Sequence, residues 1–171
     1  MDTWRTAYRG IVPDAHLDDL SYEESERLWQ DAINSGDGRV FVAEDGGGVF
    51  GFASGGPRER FSRELREYEG ELQTVYVLPS RKGTGAGRRL VGAVARHLAD
   101  QGVHSMLLWV FTENRPARRF YESLGGVPVG KDGFELGGAW LSETAYGWKD
   151  LDVLLAEGGV GPLAPDPRHA P

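Results

Sequence analysis

One nine-residue stretch, Arg81–Arg89 (RKGTGAGRR), contains four bases, three glycines and no acid. Glycine lets backbone N–H groups approach a ligand without interference from a Cβ atom. Apolar residues then recur at helical spacing between Leu90 and Leu98, so the loop is predicted to open a helix. A helix N-terminus offers N–H groups and the positive end of its dipole to an anion. The stretch therefore predicts a site for an anion of the pyrophosphate type.

Two nucleotide-binding motifs fail at this loop on residue types. A Walker A loop requires G-x-x-x-x-G-K-[ST], and no Gly-Lys-Ser or Gly-Lys-Thr occurs in the chain. A dinucleotide fingerprint, G-x-G-x-x-G, would need glycine where Arg88 or Leu90 stands, and the next acid is Asp100. A glycine-rich turn with surface arginines and no ligand remains the alternative to anion binding.

Strands and helices alternate around the loop, which predicts one α/β domain with a mixed sheet over residues 1–157. The expected elements are a helix over Tyr22–Asn34, a hairpin of Val40–Ala43 and Val49–Ala53, a peripheral charged loop over Pro57–Gly70, a buried strand over Leu72–Leu78, a helix from Gly87 to Asp100, a strand over Met106–Phe111, a helix over Pro116–Leu124, and strands near Val127–Val129 and Ala145–Trp148. Gly158–Pro171 holds four prolines and three glycines and is predicted to be a disordered tail.

The composition of the chain argues against nucleic-acid binding, a metal site and a membrane span. The net charge is −7, and Met1–Asp45 alone carries 11 acids against 4 bases, which argues against nucleic acid as a partner. The chain has no cysteine and no paired histidines, so no metal site is expected. No apolar run is long enough for a membrane span or a signal peptide. A cytoplasmic protein that uses neither a metal nor a membrane is the expectation.

Two ordered motifs resemble those of the GCN5-related N-acetyltransferase superfamily. Lys82–Gly87 (KGTGAG) is similar to its acetyl-CoA loop, Gln/Arg-x-x-Gly-x-Gly/Ala, with lysine in the first place as a mild departure. Asn114–Tyr121 (NRPARRFY), followed by Leu124-Gly125-Gly126, resembles its later helix segment. The resemblance extends from about Trp4 to Leu155. It implies a mostly antiparallel mixed sheet flanked by helices, with acetyl-CoA as cosubstrate.

The chain departs from that family at its start. Members open with an edge strand and half a helix before the segment that resembles Trp4–Gly10, and here only Met1–Thr3 precede it. We therefore expect the sheet to begin at Arg39–Glu44. A misassigned start codon, a sheet without that edge strand, and an edge covered by another chain are the three alternatives.

The resemblance also assigns cofactor-binding roles. Backbone groups of the strand Leu72–Val77 would lie beside the pantetheine arm of acetyl-CoA. A backbone N–H near Tyr76 would polarise the thioester carbonyl. The loop Lys82–Arg88 would hold the pyrophosphate, and Asn114 would hydrogen-bond the pantetheine. The residues implied are Val75, Tyr76, Val77, Lys82, Gly83, Thr84, Gly85, Ala86, Gly87, Arg88 and Asn114.

In the family an amine attacks the thioester directly, without an acyl-enzyme. The resemblance makes Tyr121 the general acid for the departing thiolate, although a core position is the alternative. Glu71 could take the amine's proton, or be an exposed end of a charged segment. Glu113 is the rival base, or else caps its helix. Trp109 lines the acceptor slot or is buried in the core.

The acceptor expected from the resemblance is a primary amine: a small molecule, an antibiotic-like amine or a peptide N-terminus. The acidic N-terminal quarter of the chain is Met1–Asp45. It includes Asp14, Asp18 and Asp19, which would favour a cationic amine as acceptor. A non-catalytic acyl-CoA-binding regulatory module of the same fold is the alternative function. A homodimer is left open.

Overall fold

The computed structural model describes residues 5, 7–35, 38–58 and 63–157. Within them, the elements are α1 (Asp14–Asp18), α2 (Tyr22–Ser35), β1 (Arg39–Asp45), β2 (Gly48–Pro57), a 3-10 turn (Arg63–Leu65), β3 (Gly70–Val77), a second 3-10 turn (Pro79–Arg81), α3 (Ala86–Asp100), β4 (Met106–Phe111), α4 (Arg115–Ser123), β5 (Val127–Leu136), β6 (Ala139–Trp148) and α5 (Asp152–Glu157). The predicted order is confirmed. The predicted tail, Gly158–Pro171, lies outside the described residues.

The strands form one six-stranded mixed sheet in the order β1-β2-β3-β4-β6-β5. Every neighbouring pair is antiparallel except β3 and β4, which run parallel. β1 is an edge strand and the first strand of the described chain, and it begins at Arg39 as expected. The structure is therefore the predicted α/β domain with a mostly antiparallel sheet.

The parallel pair at the centre of the sheet separates soon after it begins. β3 and β4 are paired only at Gly70 with Met106 and at Glu71 with Leu107. The register of β3 against β2 shifts at the same place, because Ser54 pairs with Thr74 and the next residue of β2 pairs with Leu72. Such a bulge bends a strand and increases its twist. Beyond it, β3 stays on β2 and a gap opens between β3 and β4.

The main core lies between the sheet and α3. Val94 and Leu98 of α3 are fully buried against strand residues such as Leu108. Burial of each such side chain contributes about 1.5–3 kcal/mol. Gly55 of β2 allows the close approach, since a Cβ there would lie 2.4 Å from Val94 Cγ1. This packing fixes the start of α3 relative to the end of β3.

On the opposite face of the sheet, α2 contacts β2 through one ring, and the segment before β3 packs beneath β4. The ring of Trp29 from α2 meets Phe52 edge-on at 5.0 Å. Leu65 and Tyr68 are 5% and 1% exposed and pack on Leu107. The prediction that Pro57–Gly70 is peripheral is therefore wrong for its second half, because two isolated apolar side chains anchor it under the sheet.

The C-terminal hairpin is longer than predicted. The sequence indicated short strands near Val127–Val129 and Ala145–Trp148, whereas β5 and β6 have ten residues each. β5 is an edge strand with no fully buried residue, so it lacks the apolar alternation that reveals a strand. The short helix α5 was not predicted either.

A glycine-to-alanine change at Gly147 tests the packing under the sheet. A Cβ at Gly147 would lie 2.6 Å from the Tyr68 ring, so we expect Gly147→Ala to lower the free energy of unfolding in urea by about 1–3 kcal/mol. Gly46→Ala is the control, because nothing lies within 4 Å of a Cβ at that turn. A Gly147→Ala protein as stable as the control would contradict this packing.

Candidate functional site

The glycine-rich loop ends at an open helix N-terminus. Gly83 and Gly85 have φ of 77° and 80°, the left-handed region that favours glycine. Gly85 is the N-cap of α3, and no side chain caps the helix. Arg89 N is hydrogen-bonded to Gly85 O at 3.1 Å, so the N–H groups of residues 86–88 precede the first intrahelical bond. The arrangement suits an anion, and the binding of an anion at this helix start stays a prediction.

The four bases of the loop have different surroundings. Arg81 pairs with Asp45 at 2.5 Å and lies over the ring of Phe50, so it braces the β1–β2 hairpin. The Lys82 side chain is exposed. The Arg89 guanidinium lies beside the loop, because its Nη1 would be 3.5 Å from a Cβ at Gly85. Two bases are thus available at the loop itself.

Other members of the predicted loop also have structural roles. Arg88 Nη2 donates to Ser123 O at 3.3 Å, which ties α3 to α4. A Cβ at Gly87 would lie 3.1 Å from Phe120 Cζ, so this glycine serves helix packing. Ala86 is 2% exposed. Binding of an anion by Ala86 and Gly87 would therefore use their backbone N–H groups.

Backbone polar groups of β3 face the gap. Leu78 N donates to Phe50 O of β2 at 2.9 Å. Because the direction of N–H and C=O alternates along a strand, Tyr76 directs its own groups toward β2, while Val75 and Val77 direct theirs away from it. That side is where β4 has separated. The N–H groups of β3 that face the gap are therefore those of Val75 and Val77, and polarisation of a thioester carbonyl by an N–H near Tyr76 stays a prediction.

The start of α4 corrects one expectation. Asn114 is the N-cap, and its Oδ1 accepts a hydrogen bond from Ala117 N at 3.2 Å, so Glu113 is not the capping residue. On the same helix, the Arg118 guanidinium donates to the Tyr146 hydroxyl at 3.0 Å and to Thr112 O at 3.1 Å. Hydrogen bonding of pantetheine by Asn114 stays a prediction.

Tyr121 of α4 is 8% exposed and belongs to the main core, where its ring lies 6.2 Å from Tyr146 and 6.5 Å from Trp148. Burial raises the pKa of its hydroxyl, and an electrostatic interaction with Tyr8 adds to the shift. A raised pKa keeps the proton on Tyr121 throughout the neutral range. Both interpretations of Tyr121, packing and proton donation, fit this environment.

Tyr8 stands at the mouth of the gap, a position that the sequence analysis did not assign. Its hydroxyl lies 3.4 Å from the Tyr76 hydroxyl of β3, and its ring meets Phe111 of β4 edge-on at 5.1 Å. Tyr8 therefore touches both separated strands. No local pattern in the sequence indicates this, because the contact joins residues about seventy and a hundred positions apart.

Glu71, the predicted base, and Trp109, the predicted acceptor-side residue, lie near the end of the gap where β3 and β4 are still paired. Glu71 is half-buried at the last paired position of β3, opposite Leu107. Trp109 is partly buried and packs on the cluster that holds Leu65 and Tyr68, which favours its interpretation as a core residue. The proton-accepting role of Glu71 stays a prediction.

A buried carboxylate was missed by the sequence analysis. Glu143 of β6 is 9% exposed, and among the described residues it is the one charged side chain in the buried set. Its charge raises the pKa of the Tyr8 hydroxyl, although burial of that hydroxyl is the larger cause. The predicted strand began only at Ala145, so Glu143 could not be assigned to a face of the sheet.

The acidic N-terminal quarter is partly neutralised within itself. Arg9 lies 3.7 Å from Asp14 and 3.2 Å from Asp18, and all three side chains are largely exposed. Such exposed pairs contribute little to stability, but they reduce the field that these acids can exert. The preference for a cationic acceptor predicted from them is weakened accordingly.

None of the described helices is both long and apolar enough to span a membrane. Within the same residues, no three histidine, aspartate or glutamate side chains are grouped so that they could hold a metal ion.

Comparison with known proteins gives consistent results. The family model described as "Acetyltransferase (GNAT) family" matches residues 2–126. The "Uncharacterized N-acetyltransferase YuaI" of Bacillus subtilis (strain 168) is 41% identical over 155 residues, which cover 90% of this chain and 86% of that protein. The "Mycothiol acetyltransferase" of Thermobifida fusca (strain YX) is 35% identical over 77% of this chain. The chain spans 36% of that relative's length.

A solved structure shares the fold. The putative acetyltransferase yncA from Salmonella typhimurium, determined with its cofactor acetyl-CoA, superposes with a TM-score of 0.63 at 24% identity. The match covers 97% of this chain and 90% of that chain. The arrangement of one mixed sheet flanked by helices therefore occurs in a protein whose structure contains acetyl-CoA.

Proposed function

The chain belongs to the acetyltransferase (GNAT) family, and on that basis we propose that it moves an acetyl group from acetyl-CoA to a primary amine by direct attack. The observation that carries the proposal is the gap between β3 and β4, which opens beside the uncapped N-terminus of α3. One end of this groove suits a pyrophosphate, and its wall carries the backbone groups of Val75 and Val77. The acceptor is a small amine, an antibiotic-like amine or a peptide N-terminus.

In the proposed complex, the loop from Lys82 to Arg88 and the first turn of α3 hold the pyrophosphate of acetyl-CoA. The pantetheine arm then enters the gap, where the N–H of Val75 or Val77 donates to the thioester carbonyl oxygen. Such a donor stabilises the negative charge that develops on this oxygen as nitrogen attacks. Asn114 is the proposed partner of the arm from the α4 side.

The departing thiolate needs a proton, and Tyr121 is the proposed donor. Its hydroxyl carries a proton at neutral pH, because the ordinary pKa of tyrosine already lies well above neutral and burial raises the pKa of Tyr121 further. Glu71 is the proton acceptor that the sequence predicts for the amine. A cytoplasmic location and a homodimer stay predictions.

Replacement of the N-cap glycine tests the anion site. We expect Gly85→Ala to weaken acetyl-CoA binding at least tenfold by calorimetry, because a side chain is strained at a φ of 80° and the helix N-terminus would move. Gly48→Ala is a matched control, since it too has positive φ, 105°, but lies in the β1–β2 hairpin. Equal acetyl-CoA affinity in the two variants would contradict the proposed position of the pyrophosphate.

Replacement of Tyr121 tests proton donation. We expect Tyr121→Phe to lower kcat for thiol release from acetyl-CoA, measured across a panel of amines, by about 100-fold while acetyl-CoA affinity is unchanged. Tyr22→Phe, at a ring that is 56% exposed, should leave both quantities unaltered. Unchanged rates in Tyr121→Phe would remove Tyr121 from the mechanism. A wild-type protein that binds acetyl-CoA but acetylates no amine would support the regulatory alternative.

A further inference from the structure

One phenol oxygen of the sheet holds helix α4 at two points. Tyr146 of β6 is fully buried, and its hydroxyl donates to Glu122 Oε1 at 2.5 Å. The same oxygen accepts a hydrogen bond from Arg118 Nε at 3.0 Å. Because residues at positions i and i+4 share one face of a helix, Arg118 and Glu122 meet this hydroxyl from successive turns. The rotation of α4 about its axis is thereby fixed against β6.

The direction of these hydrogen bonds follows from the groups involved. A guanidinium only donates and a carboxylate only accepts, so the Tyr146 hydroxyl gives its own proton to Glu122. Burial and the hydrogen bond to Glu122 raise the pKa of Tyr146 further above neutrality, which keeps that proton in place. Hydrogen bonds with one charged partner are stronger than those between neutral groups. The chain from Arg118 through Tyr146 to Glu122 is therefore both directional and strong.

Arg118 extends this connection to the loop between β4 and α4. Its Nη1 donates to Thr112 O at 3.1 Å. The Thr112 hydroxyl lies 3.1 Å from that of Ser142 and 3.0 Å from that of Thr144, both on β6. Asn114, the N-cap of α4, lies in the same loop. Polar contacts from β6 therefore hold the start of α4 as well as its middle.

Tyr121 is carried by the helix that is held in this way. It directly precedes Glu122, and its ring packs against those of Tyr146 at 6.2 Å, Trp148 at 6.5 Å and Phe120 at 5.3 Å. Contacts between rings are less directional than hydrogen bonds, so they define the place of the Tyr121 hydroxyl less sharply. That place therefore depends on where α4 stands relative to β6.

Tyr121 and Tyr8 approach the gap from opposite faces of the sheet. Tyr121 belongs to the core on the face that α3 covers, whereas Tyr8 packs with Phe111 on the other face. Burial is the larger cause of the raised pKa of Tyr121, and an electrostatic interaction with Tyr8 adds to it. The two side chains thus interact where β3 and β4 have separated. A shift of α4 would move the Tyr121 hydroxyl relative to this opening.

We propose that Tyr146 is a positioning residue, which holds α4 through Arg118 and Glu122 so that the Tyr121 hydroxyl faces the sulfur of the departing thiolate. This role rests on the proposed acetyl transfer, in which Tyr121 gives that sulfur a proton. Tyr146 is fully buried and acts through α4. A misplacement of about 1 Å can lower a rate about 100-fold, so a smaller shift of α4 is expected to lower it about tenfold.

Removal of the Tyr146 hydroxyl in two backgrounds tests this role. We expect Tyr146→Phe to lower kcat for thiol release about tenfold, with acetyl-CoA affinity unchanged. In a Tyr121→Phe protein, the same change should lower kcat by less than about twofold, because the group that Tyr146 positions is already gone. A merely structural role of Tyr146 would lower kcat by the same factor in both backgrounds.

Tyr68→Phe is the matched control. The Tyr68 ring is also buried, but it lies on the other face of β6 against Gly147, and its hydroxyl has no hydrogen-bond partner among the described residues. Its loss should leave kcat unchanged in both backgrounds. The proposed role is overturned if Tyr146→Phe keeps the wild-type kcat, if its loss persists undiminished in the Tyr121→Phe protein, or if Tyr121→Phe alone has no effect.

Two variants of Glu122 replace Tyr146→Phe if that protein fails to fold. The Glu122 side chain is exposed, so its replacement leaves the core intact. Glutamine keeps an oxygen that accepts from the Tyr146 hydroxyl, whereas alanine removes it. We expect Glu122→Ala to lower kcat about fivefold and Glu122→Gln to stay within about twofold of wild type. Equal rates in the two variants would overturn the role of this connection.

A second measurement does not require turnover. In protein labelled with carbon-13 at tyrosine Cζ, the NMR signal of Tyr121 is the one that Tyr121→Phe lacks. This signal should shift when CoA binds to wild type or to Tyr68→Phe, and it should shift less in Tyr146→Phe. An equal shift in Tyr146→Phe, or none in wild type with CoA bound, overturns the proposed role. A wild type that binds no CoA, or that acetylates no amine, contradicts the proposed function independently.

Discussion

The separation of β3 from β4 is the constraint on which the rest of the site depends. Two paired positions hold the strands together, and the bulge that follows bends β3 away. Backbone groups that would otherwise complete the sheet at Val75 and Val77 are left facing a groove. Buried backbone groups require partners, so a ligand that offers amide and carbonyl groups of its own can take the place of the missing strand. The pantetheine arm of acetyl-CoA has this chemistry.

The two faces of the sheet contribute different groups to the surroundings of that gap. On one face, α3 and α4 are fixed by a continuous apolar core, which places an open helix N-terminus beside the end of β3. On the other, Tyr8 bridges the separated strands and lies against the region of Glu143. In the proposed reaction, the donor thioester and the acceptor amine would reach the gap from opposite sides. Tyr121 lies in the core between them, where burial keeps its proton in place.

Much of this arrangement is readable from the sequence, and the exceptions have physical causes. Local chemistry predicted the start of α3, because glycines and a helical apolar stripe leave few alternatives. Leu72–Leu78 was predicted to be buried, yet most of β3 is half exposed, since its parallel neighbour departs after Glu71. The positions of Glu143 and Tyr8 near the gap were not predicted, because their proximity depends on the register of β6 against β4. That register is a property of the whole sheet and has no local signal.

Amide hydrogen exchange with and without acetyl-CoA tests the central claim most directly, namely that the cofactor completes the sheet edge of β3. We predict that the amides of Val75 and Val77 exchange more slowly once acetyl-CoA is bound. The Tyr76 amide, which faces β2, should be slow in both states and change little. Binding of acetyl-CoA that leaves Val75 and Val77 unprotected would contradict the account.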